Sequence, residues 1–221
     1  MRGWLPIMEN LIVFFGKPGA GKGTRLSEFL KGRKDKFEVL SIGKLLRKEI
    51  NAQTELGKRA ESYMNSGQLV PNEIINEIVF TNLKDARKSI LSDAFPRTIS
   101  QAKALLESGF RPSIVIELYV DDEVVIERSR IRTVCKCCGE SYTITGFKVP
   151  KIKGICDNCG SKLIRRTDDE ENIVRTRLEV YRKETYPVLE FLKNANIPVV
   201  TIDSTDLSTP NLDIGKLIDS L

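Results

Sequence analysis

The sequence predicts an α/β protein, a five-stranded parallel sheet flanked by helices and carrying one small inserted module. Three observations lead there. Short apolar runs alternate with longer amphipathic segments, a glycine-rich loop joins the first run to the first helical segment, and all five cysteines fall between Cys135 and Cys159.

The apolar runs are Leu11–Phe15, Phe37–Ile42, Ile90–Asp93, Ile114–Val120 and Pro198–Ile202. Runs of this kind read as strands buried on both faces, as in a parallel sheet covered by helices. Helical periodicity is expected over Lys22–Lys31, Gly43–Asn51, Glu55–Ser66, Asn72–Lys84, Ser100–Glu107, Asp122–Arg130, Asp168–Lys193 and Leu212–Leu221. The long segment is expected to bend or break near Pro187, which lacks a backbone donor. From Thr133 to Leu163 the chain is rich in Cys, Gly, Lys and turn residues and has no long helical period. That stretch reads as an inserted module. There is no internal repeat, low-complexity tract or interdomain linker.

A chain of 221 residues with 41% hydrophobic content can bury one substantial core and a smaller appendage. Lys and Arg outnumber Asp and Glu by 35 to 30, and the net charge of +5 suits anionic ligands. The chain has no histidine, which removes Ser-His-Asp and Cys-His mechanisms and every His-containing metal site. Clustered cysteines favour a metal and a reducing compartment over a disulfide framework. No stretch approaches the roughly 20 apolar residues that span a bilayer, and the opening MRGWLPIMEN lacks the apolar run of a signal peptide. A cytoplasmic protein without membrane partners is expected, and Met8 offers a plausible shorter start.

GKPGAGKGT, from Gly16 to Thr24, lies between a strand and a helix start. Glycines let the backbone wrap a phosphate, successive N–H groups point inward, and the helix N-terminus adds partial positive charge. Lys22 is placed to reach the outer phosphates as a point charge. The general pattern has Ser or Thr directly after the lysine, whereas here Gly23 intervenes before Thr24. A mere glycine-rich turn is the bland alternative, disfavoured by the lysine and the strand-loop-helix context.

Cys135-x-x-Cys138 and Cys156-x-x-Cys159 have the spacing of a four-cysteine zinc site. A closed four-thiolate shell leaves no position for water, so zinc here would be structural. Four thiolates also accept iron, and a redox disulfide set is the competing reading. Cys137 stands outside the paired spacing as a free thiol. The lysines of this ribbon suit nucleic acid, yet its only aromatics, Tyr142 and Phe147, make a poor stacking platform. Nucleic acid is therefore not expected as a partner.

The Gly-Lys-Gly-Thr ending, with SIGKLLR, GQLVPNE, DAFPRT followed by Gln101, CKCCG, CDNCG and RRTDDEENIVRTRL, resembles the adenylate kinase family in its long-lid, zinc-bearing form. The resemblance runs from Leu11 through the last strand. It implies a P-loop NTPase fold and reversible, Mg2+-dependent transfer of the ATP γ-phosphoryl to AMP. It also implies a core at 1–40, 71–130 and 170–221, a mobile acceptor-binding segment at 41–70, and a zinc lid at 131–169; a monomer is expected, though the sequence does not itself encode the oligomeric state.

Residue by residue, the resemblance implies ATP binding by Gly19, Ala20, Gly21, Lys22, Gly23, Thr24, Arg128 and Arg132, with Arg128 packing on the adenine. AMP is assigned to Ile42, Arg47, Val70, Ala94, Arg97, Gln101, Arg166 and Arg177, Gln101 reading the base edge. Lys22, Arg97, Arg132, Arg166 and Arg177 are the catalytic set, Asp93 orders the magnesium waters, and Cys135, Cys138, Cys156 and Cys159 hold zinc. Arginines suit this chemistry in their own right, because a phosphoryl group in flight spreads charge over three oxygens and forked guanidiniums stabilise it without a general base. Arg175 and Arg182 read as surface charges, and Asp168 to Glu171 in part as an acidic helix start.

Four places depart from the resemblance. Ile42 stands where Thr is usual, Lys44 where Asp is usual, and Ala94 where Gly is usual; Arg132-Thr133 also replaces a frequent pair of arginines. Ile42 can pack the pocket wall while Lys44 points to solvent, or the acceptor base can have changed. The alternatives are a kinase with CMP or UMP as acceptor or GTP as donor, and, more distantly, a P-loop nucleic-acid-binding protein that uses the ribbon.

Overall fold

A computed structural model describes residues 10–207 and 212–220, so Met8 and the last residue of the expected C-terminal helix, Leu221, lie outside the described residues. The strands β1 (Leu11–Phe15), β2 (Phe37–Ser41), β3 (Ser89–Asp93) and β4 (Ile114–Tyr119) belong to one sheet, and β5 (Arg132–Cys135), β6 (Ser141–Thr143) and β7 (Leu163–Ile164) to another. β8 (Val199–Asp203) completes the first sheet, whose order is β2-β3-β1-β4-β8, every pair parallel.

Because successive strand residues face opposite ways, β1 feeds two cores. Leu11, Val13 and Phe15 join one cluster with Leu46, Val79, Leu105 and Leu192, while Ile12 and Phe14 join the other with Leu26, Val125, Leu178 and Ile214. The helices that supply them are α1 (Lys22–Phe29), α2 (Ile42–Asn51), α3 (Glu55–Asn65), α4 (Asn72–Asp85), α5 (Ile99–Glu107), α6 (Asp122–Ile131), α7 (Glu171–Val180), α8 (Pro187–Asn194) and α9 (Leu212–Asp219). No helix of the described residues is long and apolar enough to cross a membrane.

The five strands fall where the apolar runs place them, but burial on both faces holds only inside the sheet. β1 is buried throughout, whereas Glu38 and Val39 of the edge strand β2 are exposed and β8 has no fully buried residue. An edge strand has a neighbour on one side only, so part of its length stays at the surface.

The expected Asp168–Lys193 helix is divided. A 3-10 turn spans Thr167–Asp169, α7 follows, and a π-helical turn at Tyr181–Thr185 precedes α8. Tyr186 N donates to Tyr181 O at 2.7 Å. Pro187 has no N–H to continue the i to i−4 ladder, and the widened turn accommodates that loss before the proline rather than at it.

The inserted stretch is more regular than its composition implies. It forms a three-stranded antiparallel sheet, β6-β5-β7, with Arg132 opposite Thr143 and Val134 opposite Ile164. Strands of two to four residues are too short for a periodic signal.

Candidate active site

β1 delivers the chain into the glycine loop at the C-terminal edge of the sheet, where ligands of open parallel sheets bind. Gly16 has φ 133°, and a Cβ there would stand 2.4 Å from Leu118 O, so the turn beside β4 admits only glycine. Lys22, the first residue of α1, folds back over the loop and donates to Gly16 O at 2.7 Å and Lys17 O at 2.8 Å. Burial lowers its pKa to about 7; Asp93 opposes the fall, and Arg97, Arg177 and Arg132 add to it.

A cavity of about 790 Å³ opens over this loop. Gly19, Gly21, Lys22, Gly23, Thr24 and Arg128 line it, as do Ile42, Arg47, Val70, Asp93, Ala94, Arg97 and Gln101, with Arg132, Arg166 and Arg177. Ala20 is different: its methyl is fully buried in the core with Leu26 and Phe29, and its carbonyl accepts the Ser204 hydroxyl at 2.8 Å. Arg128 lies along the loop, donating to Gly19 O at 3.3 Å, Ser204 O at 2.6 Å and Thr205 O at 2.8 Å.

Two buried carboxylates organise the other arginines. Asp169 is 1% exposed and pairs with Arg132, whose Nε lies 2.8 Å from Oδ2. Burial works against the Arg132 charge, but Asp169, with a further pull from Asp168, more than offsets it, so its pKa is raised. Asp168 takes Arg166 Nε at 2.7 Å and Arg177 Nη1 at 2.9 Å, with Arg47 at 3.9 Å. Although burial pulls the other way, Arg166, Arg177 and Arg47 hold Asp168 far below the usual carboxylate range. Asp168 and Asp169 lie in the 3-10 turn that leads into α7, whose own first turn carries Glu171, so the stretch is in part the acidic helix start expected of it; the two carboxylates also hold four arginines.

Burial also lowers Arg47 to about 9 and Arg177 to about 10, and lowers Arg97, each guanidinium crowded by its neighbours. Such a set is short of negative charge. Arg97 is aimed by the backbone, its Nε donating to Ala94 O at 2.8 Å. Ala94 has φ 57°, the left-handed conformation that makes glycine usual there. Asp93, at the end of β3, accepts the Ser41 hydroxyl at 2.8 Å. Gln101 is 2% exposed and already engaged on both its amide atoms, with Arg97 N and Asn72.

Asn72 and Ser41 lie inside the GQLVPNE and SIGKLLR motifs and Glu140 just after CKCCG, but nothing in the motifs marks these three as site neighbours, since each is an ordinary polar residue whose partner comes from elsewhere in the chain. Of the two expected surface arginines, Arg175 pairs with Glu171 at 2.8 Å within α7, and Arg182 pairs with Asp122 of α6 while remaining exposed.

The Adenylate kinase family profile matches residues 14–197. The chain belongs to the adenylate kinase family. An adenylate kinase of Caldicellulosiruptor saccharolyticus is 40% identical over 215 residues, 94% of this chain and 98% of that one. Family members from Clostridium tetani, at 42% over 88% of this chain and 91% of the relative, and from Staphylococcus aureus, at 40% over 95% and 99%, are similar to the same extent.

Adenylate kinases work on Mg·ATP, and the residues here fit such an ion. Asp93 and Thr24 place hard oxygen atoms beside Lys22 in the cavity, as a cation that keeps much of its water requires. The cysteine set fits zinc. The Sγ atoms of Cys135, Cys138, Cys156 and Cys159 all lie within 4.8 Å of one another, and Cys135 and Cys159 approach to 3.3 Å. A tetrahedral site with Zn–S of ~2.3 Å sets sulfurs about 3.8 Å apart. Cys137 is exposed and outside this cluster.

Proposed function

We propose that this protein transfers the γ-phosphoryl group of Mg·ATP reversibly to AMP, giving two ADP. The observation that carries it is the convergence of Lys22, Arg47, Arg97, Arg132, Arg166 and Arg177 on one cavity at the glycine loop, where Asp93, Asp168 and Asp169 leave cations in excess. An AMP phosphate oxygen forms the new P–O bond as the bond from the γ-phosphorus to the β-bridging oxygen breaks. The attacking oxygen is already anionic, so no general base is required.

In this reading the loop residues Gly19 to Thr24 and Lys22 hold the donor phosphates, and Arg128 packs on the donor base. Arg47 and Arg97 hold the acceptor phosphate, while Arg132, Arg166 and Arg177 steady the charge in transit. Ile42, Val70 and Ala94 wall the acceptor base and Gln101 reads its edge. Asp93 and Thr24 would hold the magnesium ion and its waters, and that ion supplies charge neutralisation on the phosphates. Segments 41–70 and 131–169 are the bodies that close on the substrates, excluding water that would otherwise compete for the phosphoryl group. Cys135, Cys138, Cys156 and Cys159 would hold a zinc ion, which would make the second body rigid. The chain works as a cytoplasmic monomer.

The test is phosphoryl transfer from Mg·ATP to AMP, dAMP, CMP, UMP and GMP, with both products followed. AMP is expected to dominate; dominance of another acceptor would reassign Ile42, Lys44 and Ala94 as determinants of a different specificity. Lys22→Ala and Arg97→Ala are expected to lose nearly all turnover with the fold intact.

A further inference from the structure

We propose that Asn72 fixes which way round the Gln101 carboxamide faces, and so sets a preference for acceptor bases carrying an amino group over those carrying an oxo group. This rests on the reading of Gln101 as the residue that meets the acceptor base.

A carboxamide is nearly symmetric in shape but not in polarity: its oxygen has two lone pairs and its nitrogen two hydrogens. What it offers a ligand depends on which end is held where. In this protein the polarity is set from two backbone groups. Arg97 N–H can only donate, and it lies 2.8 Å from Gln101 Oε1. Gln101 N–H can only donate too, and it gives to Thr98 Oγ1 at 3.1 Å. The Thr98 hydroxyl in turn donates to Asn72 Oδ1 at 3.1 Å. Asn72 is thereby held with its oxygen forward, and that oxygen accepts Gln101 Nε2–H at 2.8 Å.

Turning Gln101 over would set an N–H against Arg97 N–H and an oxygen against Asn72 Oδ1. Gln101 is almost fully buried, so water is poorly placed to repair either fault. One lone pair on Oε1 and one hydrogen on Nε2 remain, an acceptor beside a donor, on a residue that lines the cavity. Among the residues read as walling the acceptor base, Ile42, Val70 and Ala94 have apolar side chains, so within that set discrimination by a side-chain hydrogen bond falls on Gln101.

Adenine answers this pattern with its 6-amino group as donor and N1 as acceptor. Hypoxanthine has the same size and shape but presents O6 as acceptor and N1–H as donor, matching the carboxamide only if it turns over. An amino-pyrimidine has the adenine order, so the device separates amino from oxo bases and leaves ring size to the cavity walls. Asn72 does not touch the base in this account. It is a positioning residue.

The experiment measures kcat/KM for AMP and for IMP, with Mg·ATP as donor, in the natural protein and in Asn72→Ala, Asn72→Asp and Gln101→Ala. AMP is expected to be preferred, and Asn72→Ala to lower the AMP-to-IMP ratio roughly tenfold, mainly through KM, as the loss of one part-buried hydrogen bond implies. Asn72→Asp keeps the acceptor oxygen and is expected to hold the ratio within about twofold, a rescue that general damage to α4 would not produce. Asn72→Leu, close in size and without an acceptor, answers the same question where Asn72→Ala does not fold. An unchanged ratio in the Asn72 variants, with a collapsed ratio in Gln101→Ala, overturns the role of Asn72 alone. An unchanged ratio in Gln101→Ala, or no preference for AMP over IMP in the natural protein, overturns the underlying reading of Gln101 and this inference with it.

Discussion

Lys44 Nζ on α2 lies 4.0 Å from Glu140 Oε2 on the turn between β5 and β6, so the unusual lysine of the SIGKLLR stretch has a partner on the cysteine-bearing sheet. Glu140 also accepts the Ser27 hydroxyl at 3.1 Å and pairs with Lys148. Burial pushes the Glu140 carboxyl up, and Lys148, Lys44 and Ser27 together hold it below its ordinary value. One carboxylate thus links α1, α2 and the small sheet. Lys44 does not simply point to solvent, although 45% of its side chain remains exposed.

That exposure limits the strength of the pair. A double-mutant cycle on Lys44→Ala and Glu140→Ala, read from KM for AMP, is expected to give a coupling of about 0.2–1 kcal/mol, shrinking as salt is raised. Additive single effects would mean that the contact does not help the two bodies close.

Ala94 sits at φ 57°, where an L side chain costs about 1–2 kcal/mol. Glycine would relieve this while making the unfolded chain more flexible by about 0.4–1 kcal/mol. Ala94→Gly is therefore expected to stabilise the protein by about 0.5–1 kcal/mol in urea unfolding. Destabilisation would show that the methyl gains more from its buried contacts than the backbone loses.

Lys22 has an ordinary pKa of 10.5 lowered to about 7. Below pH 7 the lysine is charged in both states, and the folded protein bears the full penalty of burying it. Stability contributed by this group should then rise with pH between about 7 and 10.5, where the unfolded chain holds the extra proton. Polyphosphate favours the charged form, so ATP binding at pH 8 is expected to take up a proton. Calorimetry in buffers of different ionisation enthalpy measures this uptake, and Lys22→Gln should abolish it. Equal uptake in that variant would place the titrating group elsewhere.

Asp169→Asn would leave Arg132 buried without its counter-charge, a change of the kind that costs about 3–5 kcal/mol. Chemical denaturation is expected to show a loss of that size, together with a large fall in kcat. A loss below about 1 kcal/mol would mean that Arg132 escapes to solvent when unpaired. Asp168, held far below its ordinary 3.8, contributes stability that is complete above that value and disappears only as pH falls through the much lower folded-state pKa.

The small sheet has a core of little more than Cys135, Tyr142 and Cys156, with Cys138 and Leu163 packed against it. So thin a core needs a metal to hold it. Chelation under reducing conditions is expected to melt residues 131–169 below the main transition, seen as lost amide protection in that segment. Full protection after metal analysis reads zero would count against a structural ion.

Much of this was already legible in the amino-acid order. Continuous apolar runs such as Leu11–Phe15 mark strands because burial on both faces leaves no room for alternation, and GKPGAGKGT marks a phosphate loop because only glycines tolerate its turn beside Leu118. The cysteine spacing marks four thiols able to meet at one centre. These are local signals, each carried by neighbours in sequence.

The tertiary structure alone decided what depends on distant partners. Asp168 and Asp169 read as no more than part of an acidic helix start until Arg47 and Arg132 are brought to them, and Lys44 looks solvated until Glu140 arrives from about a hundred residues away. Asn72 is one polar residue at the start of α4 until the fold sets Thr98 and Gln101, at the start of α5, beside it. Sequence thus determined which groups exist and which backbone turns they occupy. Folding decided which charges and hydrogen-bonding atoms face one another, because those energies depend on separation in space and burial, and neither is written along the chain.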